Sequence, residues 1–174
     1  MTTISMLING EACAAGNGAT FERANPLDGK VATTAPAATV DDARRAVDAA
    51  AAAFPAWSAL GPGERRALLT RAAQALEAKG EAFAAAMAAE TGASAIWAGF
   101  NVHLAADALR EAAALTTQVN GEVIPSDVPG NLALAVRQPA GVVLGMAPWN
   151  APVILGVRAI AVPLACGNTV VLKG

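Results

Sequence analysis

Apolar residues recur at intervals of three and four positions through much of the chain, a period that predicts amphipathic helices. The first helix is expected to begin at Thr39, a good N-cap with two aspartates behind it, and its apolar stripe ends before Pro55. Gly61-Pro62 is typical of a second helix start, and Gly92 of the end of a third. A fourth helix is expected from about Ser94 to Gln118, and one face of it carries Trp97, Phe100, Leu104 and Ala108, with Asn101 beside them.

Short strand-like pieces separated by turn dipeptides precede these helices. Asn9-Gly10 predicts a tight hairpin within residues 6–14, and two further pieces, Thr20–Arg23 and Val31–Ala35, are flanked by turns. Residues 120–138 contain two apolar runs punctuated by Gly and Pro, which we interpret as two strands joined by a loop. Because an isolated hairpin is marginal in water, we expect this one to lie against another surface.

The last third of the chain has the pattern of one strand, one helix and a second strand. Gly141–Ala147 is a short, branched apolar run of strand length. Asn150 is a favoured N-cap, so a helix is expected over residues 151–162, stopping or kinking at Pro163. Thr169–Lys173 is the second strand. The order predicts a right-handed βαβ unit with parallel strands.

Composition restricts the class of protein further. The 174 residues are 55% hydrophobic and 15% charged, and a net charge of -2 favours neither nucleic acid nor an anionic membrane as a partner. Cys13 and Cys166 are far apart, without a cysteine–histidine cluster, so neither a disulfide nor a metal site is expected. The long apolar run at residues 142–162 contains two prolines and Arg158, which argues against a membrane span. We therefore expect a soluble, cytoplasmic protein.

Two motifs in the last third carry a specific resemblance. Residues 147–152 read Ala-Pro-Trp-Asn-Ala-Pro, and residues 167–173 read Gly-Asn-Thr-Val-Val-Leu-Lys. Together they resemble the aldehyde dehydrogenase superfamily. The resemblance implies an α/β fold in which an N-terminal hairpin and helices lead into the first βαβ unit of a Rossmann-like domain. It divides the chain into a first part at 1–119, an oligomerisation-type hairpin arm at 120–138 and the start of the nucleotide-binding sheet at 139–174.

The resemblance also implies roles for particular residues. Asn150 would supply the side-chain amide of an oxyanion hole, and Lys173 would reach the adenosine ribose of NAD, with NADP as the alternative cofactor. Read from the residues alone, Asn150 could merely cap its helix and Lys173 could merely end its strand. The remaining cofactor contacts implied by the resemblance are Met146, Ala147, Pro148 and Trp149.

The chemistry of the family requires a cysteine nucleophile and a glutamate base in addition to the amide. Cys13 lies in a turn-rich segment, and Cys166 reads as a small core residue at a helix end. The family's nucleophile and base motifs fall beyond the equivalent of Gly174. We therefore expect an N-terminal fragment, inactive alone, of a longer enzyme that works as a homo-oligomer, either a dimer or a tetramer.

Arg158 is a candidate for recognition of the substrate. It is the one charge on an apolar helix and lies eight positions after Asn150, on nearly the same face. It could form a structural ion pair, or it could bind an oxygen of the substrate. The resemblance places the helix of Arg158 beside the tunnel through which an aldehyde reaches the site. Because the helix with Trp97, Phe100 and Asn101 could line the same tunnel, an aromatic aldehyde such as salicylaldehyde or benzaldehyde is the favoured substrate. The alternative is a stand-alone, non-catalytic module that binds a nucleotide or a partner through the 120–138 hairpin.

Overall fold

Short strands come first in the chain, four helices follow, and a hairpin then leads into a parallel βαβ unit. The structure, a computed structural model, describes residues 2–174. The helices are α1 (Val40–Ala59), α2 (Pro62–Ala78), α3 (Gly80–Thr91), α4 (Ala95–Leu115) and α5 (Pro152–Ala165). The strands are β1 (Thr2–Thr3), β2 (Met6–Ile8), β3 (Glu11–Cys13), β4 (Thr20–Ala24), β5 (Val31–Pro36), β6 (Glu122–Ile124), β7 (Ala133–Ala135), β8 (Val142–Met146) and β9 (Thr169–Lys173).

The strands of the amino-terminal region confirm the hairpin predicted there. β2 and β3 pair antiparallel around Asn9 and Gly10, whose φ angles of 51° and 80° are those that a tight hairpin turn requires. β4 and β5 also pair antiparallel, and β1 adds to β5 in parallel. The β1 pairing was not predicted, because two threonines carry no alternating pattern. β6 and β7 form the second predicted hairpin.

Asp42 fixes the start of α1 and ties the preceding segment to it. Its carboxylate accepts the N–H of Thr39 at 2.9 Å and the Thr39 hydroxyl at 2.8 Å, which confirms the predicted cap. The same carboxylate accepts the N–H of Gly16 at 3.0 Å, and Arg45 pairs with it at 3.2 Å. Asp42 is only 2% exposed. A buried carboxylate with this many donors therefore connects the amino-terminal hairpin region to the first helix.

The apolar stripe of the first helix was expected to end before Pro55, and the last helix was expected to stop or kink at Pro163; both prolines lie inside their helices. α1 continues through Pro55 to Ala59, and α5 continues through Pro163 to Ala165. Contacts beyond each proline account for the difference. The indole N–H of Trp57 donates to the carbonyl of Leu164 at 3.2 Å and thereby holds the last turns of both helices. A proline costs one helical hydrogen bond, and tertiary contacts of this kind offset that cost.

α4 and α5 lie side by side and run in the same direction. Near their starts, the indole N–H of Trp97 reaches the carbonyl of Asn150. Near their ends, neighbouring arginines of α2 bind the terminal carbonyls of both helices: Arg66 donates to Ala113 and Arg65 to Ala165. Cations at helix C-termini satisfy unpaired carbonyls and interact favourably with the helix dipole.

Small side chains form the core between α2, α4 and α5. The predicted apolar face of α4 is only partly buried, because Trp97, Phe100 and Leu104 are each at least 40% exposed. Alanines allow the helices to approach closely, so the buried stripe follows the small residues instead of the large ones. The buried cluster consists of Leu69, Ala73, Ala105, Ala106, Leu109, Ala112, Ala113, Val157, Ala161 and Ala165.

The predicted βαβ unit is confirmed as β8, α5 and β9. The two strands are parallel, with Val142 opposite Thr169 and Met146 opposite Lys173. Gly145 allows the helix to pack closely on β8, since a Cβ there would come within 3.1 Å of Ala159. Among residues 2–174, no helix has both the length and the apolar character that a membrane span requires.

Acid should weaken the attachment of the amino-terminal region to α1. Hydrogen bonds from Gly16 and Thr39 lower the pKa of Asp42 from 3.8 to about 2. A carboxyl whose pKa falls on folding stabilises the protein above its ordinary pKa, and that contribution is lost as pH falls from about 4 towards 2. We expect Asp42→Asn to lower the melting temperature at pH 7 and to flatten its fall between pH 4 and 2.

Asp41→Asn is the matched control, since Asp41 lies in the same helical turn but is exposed and, among the described residues 2–174, pairs only with Arg44. Differential scanning calorimetry across this pH range compares the two variants. Equal melting temperatures for Asp42→Asn and the unmodified protein at pH 7 would contradict the role assigned to Asp42.

Candidate functional site

The carboxyl ends of β8 and β9 meet at one edge of the sheet. Met146 and Lys173 are opposite each other in the register, and the N–H of Ala147 donates to the carbonyl of Lys173 at 3.1 Å. Both side chains face outward; Met146 is 67% exposed. Within residues 2–174, the Lys173 ammonium donates only to the carbonyl of Gly174, at 3.2 Å. In doubly wound folds, nucleotides bind at this edge of the parallel sheet. The Lys173 ammonium at this edge is accessible to a ligand.

Asn168 holds the opposite, amino end of the same unit together. Its Oδ1 accepts the N–H groups of Ala140 at 2.7 Å and Gly141 at 3.0 Å, and its Nδ2 donates to the carbonyl of Pro163 at 3.1 Å. One buried amide thus joins the approach to β8, the end of α5 and the start of β9. The amino-acid pattern did not predict this bridge, because Ala140 and Gly141 lie far from Asn168 in the chain.

Asn150 lies in the turn between β8 and α5, and it is not the helix cap that its residue type suggested. The cap position belongs to Ala151, with φ -141° and ψ 62°, and no side chain caps α5. Pro152, which needs no N–H partner, occupies the first helical position directly behind it and displaces the cap by one residue. The side chain of Asn150 is exposed, and its amide donates to no other group within residues 2–174. That amide is therefore available to a ligand.

Two helix N-termini converge beside this turn. The Trp97 indole N–H donates to the carbonyl of Asn150 at 3.4 Å, which places the first turn of α4 next to the start of α5. Neither first turn contains an acidic residue. Each helix start carries roughly half a positive charge, so the surroundings of Asn150 favour a negatively charged group.

The residues assigned to the substrate occupy different environments. Arg158 is exposed on α5 and forms neither an ion pair nor a hydrogen bond within the described chain. Trp97 stacks on Phe100 with ring centroids 5.5 Å apart and an interplanar angle of 23°. Asn101 is fully buried; its Nδ2 donates to the carbonyl of Trp97 at 3.0 Å, and no donor among residues 2–174 reaches its Oδ1.

The cysteines are not placed to act on a group at Asn150. Cys166 follows the last residue of α5, and a helix of 14 residues is about 21 Å long. Asn150 precedes the first residue of that helix, so the two side chains lie at opposite ends. Cys13 is in β3, where its thiol contacts the carbonyl of Met6 across the hairpin at 3.8 Å.

A depression of about 390 Å³ opens beside the exposed ring of Trp149. Glu90 on its wall accepts the hydroxyl of Thr33 at 2.6 Å and pairs with Arg23 at 3.6 Å. This polar cluster was not predicted, because its members come from distant parts of the chain. Its lining consists of Arg23, Ala24, Glu90, Thr91, Trp149 and Pro152.

Comparison with known proteins identifies the family. A profile described as "Aldehyde dehydrogenase family" matches residues 13–174. The chain belongs to the aldehyde dehydrogenase family. It is 63% identical to a vanillin dehydrogenase of Pseudomonas fluorescens over 173 residues, which are 99% of this chain and 36% of that protein. The chain therefore spans about a third of the length of the curated relatives it matches.

Solved aldehyde dehydrogenase structures show the same arrangement of elements. A salicylaldehyde dehydrogenase from Pseudomonas putida G7, complexed with salicylaldehyde, superposes with a TM-score of 0.95 at 48% identity over 100% of this chain and 36% of its own. PnpE in complex with nicotinamide adenine dinucleotide superposes with a TM-score of 0.94 at 36% identity over 98% of this chain and 35% of its own. The predicted α/β fold is confirmed.

Loss of the Asn168 side chain should destabilise the unit formed by β8, α5 and β9 at the end where its strands begin. In Asn168→Ala, the N–H groups of Ala140 and Gly141 lose their acceptor, and we expect the free energy of unfolding to fall by about 1–3 kcal/mol. Asn131→Ala is the control, since Asn131 is exposed in the 120–138 hairpin. Chemical denaturation measures both variants. An unfolding free energy equal to that of Asn131→Ala would show that the bridge contributes nothing.

Proposed function

We propose that the whole protein oxidises an aromatic aldehyde to the carboxylic acid with a nicotinamide cofactor. The observation that carries this proposal is the Asn150 side-chain amide, which is exposed, free of any capping role and next to two helix starts. Membership of the aldehyde dehydrogenase family supports it, because a fixed amide at this position suits the chemistry of that family.

Asn150 would act on charge that develops during the reaction. When a thiolate from elsewhere in the whole protein adds to the aldehyde carbon, the carbonyl oxygen becomes negatively charged. The amide N–H of Asn150 would donate to that oxygen, and the N-terminal ends of α4 and α5 would add a favourable field. The amide would bind the transition state more strongly than the aldehyde, so it would raise kcat.

The edge formed by β8 and β9 fits part of a nicotinamide cofactor. The Lys173 ammonium can donate to ribose hydroxyls, and the exposed side chains of Met146 and Trp149 offer apolar surface. A bound nicotinamide would take up the hydride from the carbon that carries the thiolate, which leaves a thioester; water would then release the carboxylic acid and regenerate the thiol. NAD is the proposed cofactor and NADP the alternative; Ala147 and Pro148 complete the proposed contact set.

Arg158 is proposed to recognise an oxygen on the aromatic ring of the substrate. Its guanidinium is exposed and has no acidic partner within residues 2–174, which favours this role over a structural ion pair. The stacked rings of Trp97 and Phe100 offer an aromatic wall at the start of α4. Asn101 is buried and donates to the main-chain carbonyl of Trp97, so it would support this aromatic wall without touching the substrate. Vanillin and salicylaldehyde, which carry ring oxygens, suit this arrangement better than benzaldehyde.

The β6–β7 hairpin is proposed as the contact with a second copy of the protein. Both faces of this hairpin are exposed, including the large side chains of Val123, Leu132, Leu134 and Val136. A two-stranded hairpin with so much exposed apolar surface is marginally stable in water. Pairing with another subunit would cover it in a homo-oligomer, either a dimer or a tetramer.

The proposed function is tested on the whole protein by following cofactor reduction at three aldehydes: vanillin, salicylaldehyde and benzaldehyde. We expect NAD-dependent turnover of all three. In Arg158→Leu, kcat/KM for the two hydroxylated aldehydes should fall about ten- to a hundredfold, because a hydrogen bond to a charged group is lost. The value for benzaldehyde should stay nearly unchanged.

Arg71→Leu is the matched control, since Arg71 is an exposed arginine of α2 with no ion pair among residues 2–174. An equal fall for all three aldehydes in Arg158→Leu, together with a lower melting temperature, would assign Arg158 to a structural ion pair. No cofactor reduction with any aldehyde would contradict the proposed function and favour a non-catalytic binding module.

A further inference from the structure

We propose that Trp97 is a positioning residue for Asn150: its indole N–H holds the main chain of the β8–α5 turn so that the Asn150 amide keeps its orientation. This inference rests on the proposed role of Asn150. It gives Trp97 a function separate from contact with the substrate, because the indole N–H acts on a main-chain carbonyl and not on the ring of an aldehyde.

The β8–α5 turn is held at its two ends and has little support between them. On the strand side, the N–H of Ala147 donates to Lys173, and on the helix side, the carbonyl of Ala151 accepts from Leu155. Pro148 has no N–H, and no side chain caps α5. Within residues 2–174, the indole of Trp97 supplies the one hydrogen bond from another element to the main chain of residues 148–150. The orientation of Asn150 therefore depends on that bond.

Trp97 is itself held firmly enough to serve as an anchor. Its N–H donates to the hydroxyl of Ser94 at 3.2 Å, and its carbonyl accepts the buried amide of Asn101 at 3.0 Å. Its ring stacks on Phe100. Main chain and ring are thus both fixed before the indole N–H reaches the turn. Asn101, which is fully buried, acts through Trp97 in this arrangement.

The size of the effect follows from the geometry. The donor–acceptor distance of 3.4 Å is long for an N–H···O bond, and the partner is a neutral carbonyl, so the bond is of ordinary or modest strength. Loss of orientation at Asn150 should slow the chemical step without weakening substrate binding. We expect a decrease in kcat of about three- to tenfold, with KM changed by less than about twofold.

Trp57→Phe provides a matched control for Trp97→Phe. Both changes keep an aromatic ring and remove an indole N–H that donates to a main-chain carbonyl near one end of α5. Trp57 binds Leu164 at the far end of that helix, away from Asn150. In the whole enzyme, Trp97→Phe should lower kcat and kcat/KM together. Trp57→Phe should lower the melting temperature and leave kcat unchanged.

Two further measurements distinguish positioning from direct contact. In an Asn150→Ala background, Trp97→Phe should have no additional effect on kcat, because the group it orients is gone. Hydrogen exchange of the substrate-free whole protein should become faster in the peptide covering residues 146–155 of Trp97→Phe, and not in Trp57→Phe. The exchange measurement does not depend on activity, so it still tests positioning if no aldehyde is oxidised.

An unchanged kcat in Trp97→Phe would overturn the proposal. If Trp97→Phe lowered kcat as much in the Asn150→Ala background as in the unmodified enzyme, the proposal would also be overturned, because Trp97 would then act independently of Asn150. Unchanged exchange at residues 146–155 would show that the indole bond does not hold the turn.

Discussion

One buried side-chain amide sets the geometry on which the proposed site depends. Asn168 receives the N–H groups that lead into β8 and binds the end of α5, immediately before β9 begins. These bonds fix how far β8 and β9 can slide relative to each other at their amino ends. Because the strands are parallel and five residues long each, that register is carried to the opposite edge, where Met146 and Lys173 are paired. The geometry of the proposed cofactor edge is therefore set at the opposite, amino-terminal end of the two strands.

The parallel arrangement of α4 and α5 has a second consequence for function. Arg65 and Arg66 hold the ends of the two helices, and the contact of Trp97 with the turn before α5 brings their starts together. Two positively polarised helix ends, whose first turns contain no acidic residue, lie beside Asn150 as a result. The contacts that stabilise the helical layer thus also shape the electrostatic environment proposed to favour an oxyanion.

Local sequence signals predicted most helices and strands, but not the hydrogen bonds between segments that are distant in the chain. Thr39, Asn9-Gly10 and Gly92 act within a few residues of themselves, so the cap, the hairpin and the helix end were predicted correctly. Asn150 was misread as a cap because Pro152 moved the helix start by one residue. The buried face of α4 could not be read from hydrophobicity, since abundant alanine makes every face of that helix compatible with burial. The partners of Glu90 and Asn168 come from distant segments and leave no local pattern.

The most direct test of the account is the effect of Asn150→Ala on the steady-state kinetics of the whole protein. If the amide stabilises charge that exists only in the transition state, kcat should fall about a hundred- to a thousandfold, the typical effect of removing one oxyanion donor, while KM stays nearly constant. The melting temperature should not fall, since no side chain caps α5 and the Asn150 amide has no partner in the described chain. An unchanged kcat, or a rise in KM without a change in kcat, would contradict the role proposed for Asn150.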